Sequence, residues 1–188
     1  MSTNIPTREE AYELLKKYNE TQSLLNHALS VEAVMRYAAK LKGEDEEKWG
    51  VIGLVHDLDY EKYPDVHCTM TKQILEEAGW NDEYIHAVLA HGWGTCTDVE
   101  PTNELEKTLF AIDELTGLVT ACALVRPSKS VMDLEVKSVK KKWKEKSFAA
   151  SANREIIQKG TDMLGITLDE LIDMTIKGMR EVAKDIGL

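Results

Sequence analysis

Nowhere in the 188 residues does an apolar run approach the roughly 20 needed to span a bilayer, so a membrane span is not expected. Basic charge is in short supply. Lys and Arg number 23 against 33 Asp and Glu, a formal net charge of -10. Generic attraction to nucleic-acid phosphates needs a positive surface, so nucleic acid is disfavoured as a partner. Cysteine is scarce as well: Cys68, Cys96 and Cys122, with no CxxC pair. That excludes a disulfide framework or a thiolate zinc site, and the expectation is reduced thiols in a cytoplasmic protein. The N-terminus, Met1 to Pro6, is polar, and no secretory signal is expected.

Hydrophobic residues make up 43% of the chain and charged residues 30%, the balance of a globular protein large enough to bury a core. The pattern is helical almost throughout, with no convincing strand, repeat period or low-complexity linker. Thr7 and Glu10 have capping-box spacing and open a helix to about residue 18. The next is expected at about 23–41, with Leu24, Leu25, Ala28, Val31, Val34, Met35 and Ala38 on one face and Gly43 as its stop. Further helices are expected at about 45–58, 67–78 and 82–91. Asn103 with Glu106 opens an apolar helix at about 104–124. A Lys-rich helix follows at about 131–144 and another at about 153–164; Thr167 with Glu170 opens the last, reaching about 186. The expected fold is all-α, one domain over residues 1–188.

Within this pattern His56-Asp57 stands out. It follows Val51, Ile52, Leu54 and Val55, so a neutral imidazole and a carboxylate meet at the edge of a core. Polar groups there need partners, and a cation satisfies both. His27 interrupts the face built by Leu24, Leu25, Ala28 and Val31. Asp113 lies in Leu109-Phe110-Ala111-Ile112-Asp113, where an isolated carboxylate would be costly. His67 opens one expected helix and His91 closes another. A single histidine on an apolar face is ordinarily a core residue, and a lone His-Asp dipeptide is common. The ordered set of four His and two Asp is more specific. It exceeds what one tetrahedral ion needs and suits two ions sharing a carboxylate. His86, five residues before His91, lies on a different helical face and is left out of the set.

The series His27, His56-Asp57, His67, His91 and Asp113 resembles the HD-domain metal-dependent phosphohydrolases, named for their histidine–aspartate doublet. The likeness covers about residues 20–130; the C-terminal extension, about 131–188, carries none of the motif. The doublet is followed by Leu58-Asp59 rather than the Ile-Gly-Lys common in one large branch, so that branch's lysine has no counterpart here. The fuller histidine set is similar to that of the branch with dinuclear centres. The resemblance implies an HD-type helical bundle holding one or two divalent ions. Iron, manganese, zinc, cobalt and nickel all suit such ligands. It also implies hydrolysis of a phosphate ester in a small phosphorylated molecule, with a nucleotide as the expected class. The family includes diiron oxygenases too, so membership alone does not fix the reaction. A non-catalytic metal- or nucleotide-binding module is the third reading.

For a two-ion site, His27, His56 and Asp113 would bind one ion, His67 and His91 the other, and Asp57 would bridge. Asp59 and Glu61, just after the doublet, are candidates for a general acid, although capping or solvent-facing roles compete. Cations for a substrate phosphate are sought in Arg126, Lys129, Lys141 and Arg154. The basic run Lys137, Lys140, Lys141, Lys142, Lys144 and Lys146 reads more simply as a solvated face beside Val136, Val139 and Trp143. Tyr60, Tyr63 and Trp93 flank the expected ligands and offer stacking surfaces, although packing or lid roles are commoner. A homo-oligomer built on the C-terminal helices is left open.

Overall fold

Helix-start chemistry is strong in this chain, and the structure follows it. The computed structural model describes residues 4–188; the first three residues of the polar N-terminus lie outside it. The described residues form α1 (Arg8–Tyr18), α2 (Gln22–Lys42), α3 (Glu46–Leu54), α4 (Thr69–Glu77), α5 (Asp82–Ala90), α6 (Glu104–Leu124), α7 (Val136–Trp143), α8 (Arg154–Leu164) and α9 (Leu168–Arg180). The Thr7/Glu10 and Thr167/Glu170 capping boxes are both made. Asn103 caps α6, accepting from the Glu106 N–H, and Gly43 ends α2 in the left-handed region. Outside the helices there are two isolated bridges, Asn4 with Trp80 and Trp93 with Thr97. The fold is all-α. Among the described residues no helix is long and apolar enough to cross a membrane.

Helix α2 is the axis of the bundle, packing against α3, α6 and α9, while α6 packs on α8. Met35, Ile52, Leu54, Leu109, Phe110, Ile112, Leu115 and Leu118 are buried between them. This core brings three chain segments together: the face of α2 bearing His27, the end of α3, and the middle of α6 bearing Asp113. Glu32 of α2 is buried too, and it is held by Arg8 of α1 at 2.6 Å and by Arg36 at 2.9 Å.

Four helix boundaries differ from the sequence expectation, the first three for a local reason. Helix α3 stops at Leu54, before the doublet. The His56 ring occupies the Gly53 carbonyl, and the backbone continues in tight turns, Leu58 N–H to Val55 O and Tyr60 N–H to Asp57 O. Helix α4 begins at Thr69, because Cys68 before it has φ +69° and cannot be helical. Helix α7 is shorter than expected, since the Arg180 guanidinium takes the carbonyls of Val131 and Leu134 before it. Helix α9 ends at Arg180, and the chain to Gly187 runs in turns. A fifth departure concerns the thiols: Cys68 and Cys96 form a disulfide, against the expectation of reduced cysteines, while Cys122 is free and buried. The two sit 28 residues apart, and the turns after α3 and α5 bring them together.

Helices α6 and α8 touch at Gly160, where an added Cβ would fall 2.5 Å from the Ala111 Cα. In an open helix, Gly→Ala gains about 1 kcal/mol. Here the new methyl meets backbone, and overpacking of this kind costs about 1–3 kcal/mol. Gly160→Ala is therefore expected to destabilise the protein, read as a lower midpoint of chemical denaturation with an unchanged slope.

Candidate metal centre

Each histidine of the cluster is fixed through one ring nitrogen. His56 Nδ1 donates to Gly53 O at 2.8 Å and His91 Nδ1 to Val88 O at 2.6 Å. A carbonyl accepts and cannot donate, so Nδ1 carries the proton and, in the neutral ring, Nε2 keeps its lone pair. His67 Nδ1 meets Asp59 Oδ1 at 2.6 Å. His27 Nδ1 faces Thr116 Oγ1 at 3.4 Å, and that hydroxyl donates to Asp113 O at 2.6 Å. Four Nε2 atoms are thereby turned to one place. Outer partners of this kind orient metal-binding imidazoles and raise their basicity.

The Nε2 atoms meet the two carboxylates in two groups. In the first, His27 Nε2 lies 3.0 Å and His56 Nε2 3.2 Å from Asp113 Oδ1, with the two rings' Nε2 atoms 3.2 Å apart. Asp57 Oδ2 lies 3.3 Å from His56 and 3.7 Å from His27. In the second, Asp57 turns its other oxygen, Oδ1, to His67 Nε2 and His91 Nε2, each at 3.3 Å. Those two nitrogens are 3.3 Å apart. Ligand bonds of about 2.1 Å place the donors around one ion roughly 3.0–3.4 Å from one another. The spacings observed are those of donors around a cation. His27, His56, Asp57 and Asp113 form one group able to hold an ion; His67 and His91, with Cys68, form part of another.

The charges reinforce this reading. Burial opposes a proton on His56, but the carboxylates of Asp57 and Asp113 outweigh it and raise its pKa well above that of free imidazole. Burial likewise opposes the charged forms of Asp57 and Asp113, yet the His56 charge and the imidazole hydrogen bonds hold both well below the usual carboxylate range. For His67, burial again disfavours the charged ring, and Asp59 with Asp57 lifts its pKa. Protons thus stand where a cation would otherwise supply the positive charge.

His27, Asp57, His67, His91 and Asp113 line a cavity of about 660 Å³, with His56 buried behind them. Leu24, Tyr60, Phe110, Ala121 and Ile156 give it apolar walls, and Glu114, Ser151 and Asn153 give it polar ones. Burial and the neighbouring Asp113 charge push the Glu114 carboxyl upward, and it accepts a hydrogen bond from the Asn153 N–H. Among the described residues that line the cavity there is no lysine or arginine.

Other residues singled out in the sequence have different places. Asp59 is fully buried and spent on His67 and the Thr71 N–H, so it orients a ligand and does not face the cavity. Glu61 is exposed and accepts from the N–H groups of Glu20 and Thr21, just before α2. Neither is therefore free to act as the expected general acid. Arg126 pairs with Asp133 at 3.0 Å. Arg154 donates to the carbonyls of Phe148, Ala149 and Ala152, fixing the loop before α8. Lys129 and Lys141 do not line the cavity, and in the Lys-rich run Lys137, Lys140 and Lys142 meet acidic neighbours at the surface. The phosphate role expected of Arg126, Lys129, Lys141 and Arg154 is thus not supported by where they lie. Tyr60 lies edge-on to His67, whereas Trp93 packs on Phe110 under Lys159. His86 bonds Glu106 outside the cluster. Thr116 and Glu114 were not anticipated; their spacing from Asp113 is the one sequence signal that pointed to them.

Residues 24–118, which carry the whole cluster, match the HD domain family. The chain belongs to that family. HD domains are in general metal-dependent hydrolases that bind divalent metals, and the matched range contains the His56-Asp57 doublet. Over 142 residues the chain is 28% identical to Ribonuclease Y of Oleidesulfovibrio alaskensis. The aligned stretch covers 72% of this chain and 27% of that protein, so the chain spans only about a quarter of its relative.

Two outcomes follow for the HD centre. Asp59→Asn leaves His67 without its anionic partner, and metal affinity at the His67/His91 position is expected to fall about 10- to 100-fold, measured by titration calorimetry. The second concerns pH. His56 has a folded pKa above its unfolded value of 6.5, so its stabilising contribution is full below that pH and is lost as pH rises through the folded pKa. Chelator-stripped protein is expected to lose thermal stability from neutral to alkaline pH, and metal-loaded protein much less. Scanning calorimetry of both forms across that range checks it.

Proposed function

We propose that the protein is a metal-dependent phosphohydrolase that cleaves the phosphate ester of a small phosphorylated molecule, a nucleotide by class. The observation that carries this is the divided Asp57 carboxylate, one oxygen toward His27 and His56 and the other toward His67 and His91. His27, His56 and Asp113 would hold one ion, His67 and His91 a second, and Asp57 both. When bound, two divalent cations supply the chemistry: they acidify a water for attack on phosphorus and neutralise charge on the phosphoryl oxygens. The chain's own work is positional. Gly53, Val88, Asp59 and Thr116 lock the four imidazoles, which limits reorganisation during reaction.

The cavity supports a small substrate. Its volume is in the range of small-molecule sites, and its mixed apolar and polar walls suit a base or other compact organic group. Without lysine or arginine in the lining, the cations alone would balance the substrate's charge. One phosphate is matched better than a chain of several. The likeness to Ribonuclease Y favours a second reading, a phosphodiester in an RNA strand. The net charge of -10 and a cavity lining without lysine or arginine favour the first.

Purified protein supplied with manganese, cobalt or zinc should release phosphate from nucleoside monophosphates. His56→Ala and Asp113→Ala should each lower kcat/KM by about 10³-fold or more, in keeping with the loss of a metal ligand. Cleavage of single-stranded RNA without monophosphate hydrolysis would select the second reading. Oxygen uptake by the iron form without phosphate release would sink both and point to an oxygenase.

A further inference from the structure

The disulfide does not lie at a neutral place in the fold. Cys68 follows His67 directly, and Cys96 lines the cavity in the turn after His91. Cys68 is fully buried, and its sulfur lies with one ligand atom each of His67 and His91 in a group spanning no more than 4.8 Å. Gly92 sits against both sulfurs, where a Cβ would fall 2.8 Å from Cys68 Sγ and closer still to Cys96. The backbone at Cys68 takes φ +69°, a conformation that L side chains rarely adopt. The fold holds a buried sulfur in a strained position beside two imidazoles.

We propose that Cys68 and Cys96 are a reversible thiol–disulfide pair that sets the ligand shell of the His67/His91 metal position. In the dithiol form Cys68 Sγ joins His67, His91 and Asp57 as a thiolate ligand, its proton passing to solvent as the ion binds. Four protein donors then close a tetrahedral site to water. In the disulfide form both sulfurs are bonded to each other, the position keeps three protein donors, and one place stays open. Oxidation by a peroxide converts two thiols and H2O2 to one disulfide and two waters. Reduction by a dithiol returns both thiols and leaves the reductant as its own disulfide. The thiolate shell prefers softer ions such as zinc; the nitrogen and oxygen shell accepts harder ones as well.

This inference rests on the two-ion reading of the site but not on hydrolysis, and cobalt separates the two. The protein, residues 1–188, is reduced with dithiothreitol or oxidised with peroxide, cleared of reagent and titrated with Co2+. Metal content, absorbance and phosphate release are read in parallel. The reduced protein and Cys96→Ser are expected to show a near-ultraviolet thiolate-to-cobalt charge-transfer band; the oxidised protein and Cys68→Ser are not. The second cobalt should bind about tenfold or more tightly to the reduced form than to the oxidised one. Alkylation and mass spectrometry should find Cys68 and Cys96 joined after peroxide and free after dithiothreitol. Absence of the band from the reduced wild type, whatever the metal count, overturns the assignment, and so does failure of the pair to interconvert. A band without phosphate release keeps this inference and loses the hydrolase reading; phosphate release without a band does the reverse. The wild-type comparison involves no substitution, so poor folding of a variant cannot decide it.

Discussion

Asp57 gives one carboxylate oxygen to each of two imidazole pairs, and the rest of the structure depends on that division. Four Nε2 lone pairs and two carboxylates converge within about 3.0–3.7 Å. Without a cation, the two carboxylates depend on protons held by the imidazoles, His56 and His67 among them, whose pKa values they raise. A cation turns the same contacts into coordination. The cluster could hold a cation, and as a packing device it would be costly.

The bundle makes the cluster rigid. Helices α2 and α6, packed on one another, carry His27 and Asp113 to within 3.0 Å. The doublet is delivered differently. Helix α3 ends at Leu54 and the turns beyond it leave helical geometry, so His56 is aimed by a local hydrogen bond to Gly53 O and Asp57 by the turn that Tyr60 N–H closes on its carbonyl. His67 and His91 likewise sit just outside helix bodies, where the chain can turn side chains inward. The scaffold is helical, but four of the six ligands sit at its interruptions. This is the usual division between a rigid frame and functional connections.

Much of this was legible beforehand. Apolar periodicity broken by a polar residue marks Asp113 and His27, because a charge inside an apolar face demands a partner. The capping residues Thr7, Asn103 and Thr167 mark helix starts for a similarly local reason. The end of α3 was not legible, since the competitor for its last carbonyl is the side chain of the functional residue itself. Asp59 looked available as an acid because sequence does not reveal that His67 and the Thr71 N–H claim its carboxylate. Arg154 looked available for phosphate because sequence does not reveal that three carbonyls of the preceding loop claim its guanidinium.

The sequence by itself determined the helical class and the chemistry of the donor set, because both follow from residue type and short-range spacing. Only the tertiary structure decided how the donors divide between two positions, which oxygens of Asp57 serve which pair, and what shares the site with them. The Cys68–Cys96 pair is the clearest case. Its members lie 28 residues apart with no motif between them, and the turns after α3 and α5 make them neighbours beside His67 and His91. Contacts of that kind come from the path of the chain, which no local pattern encodes.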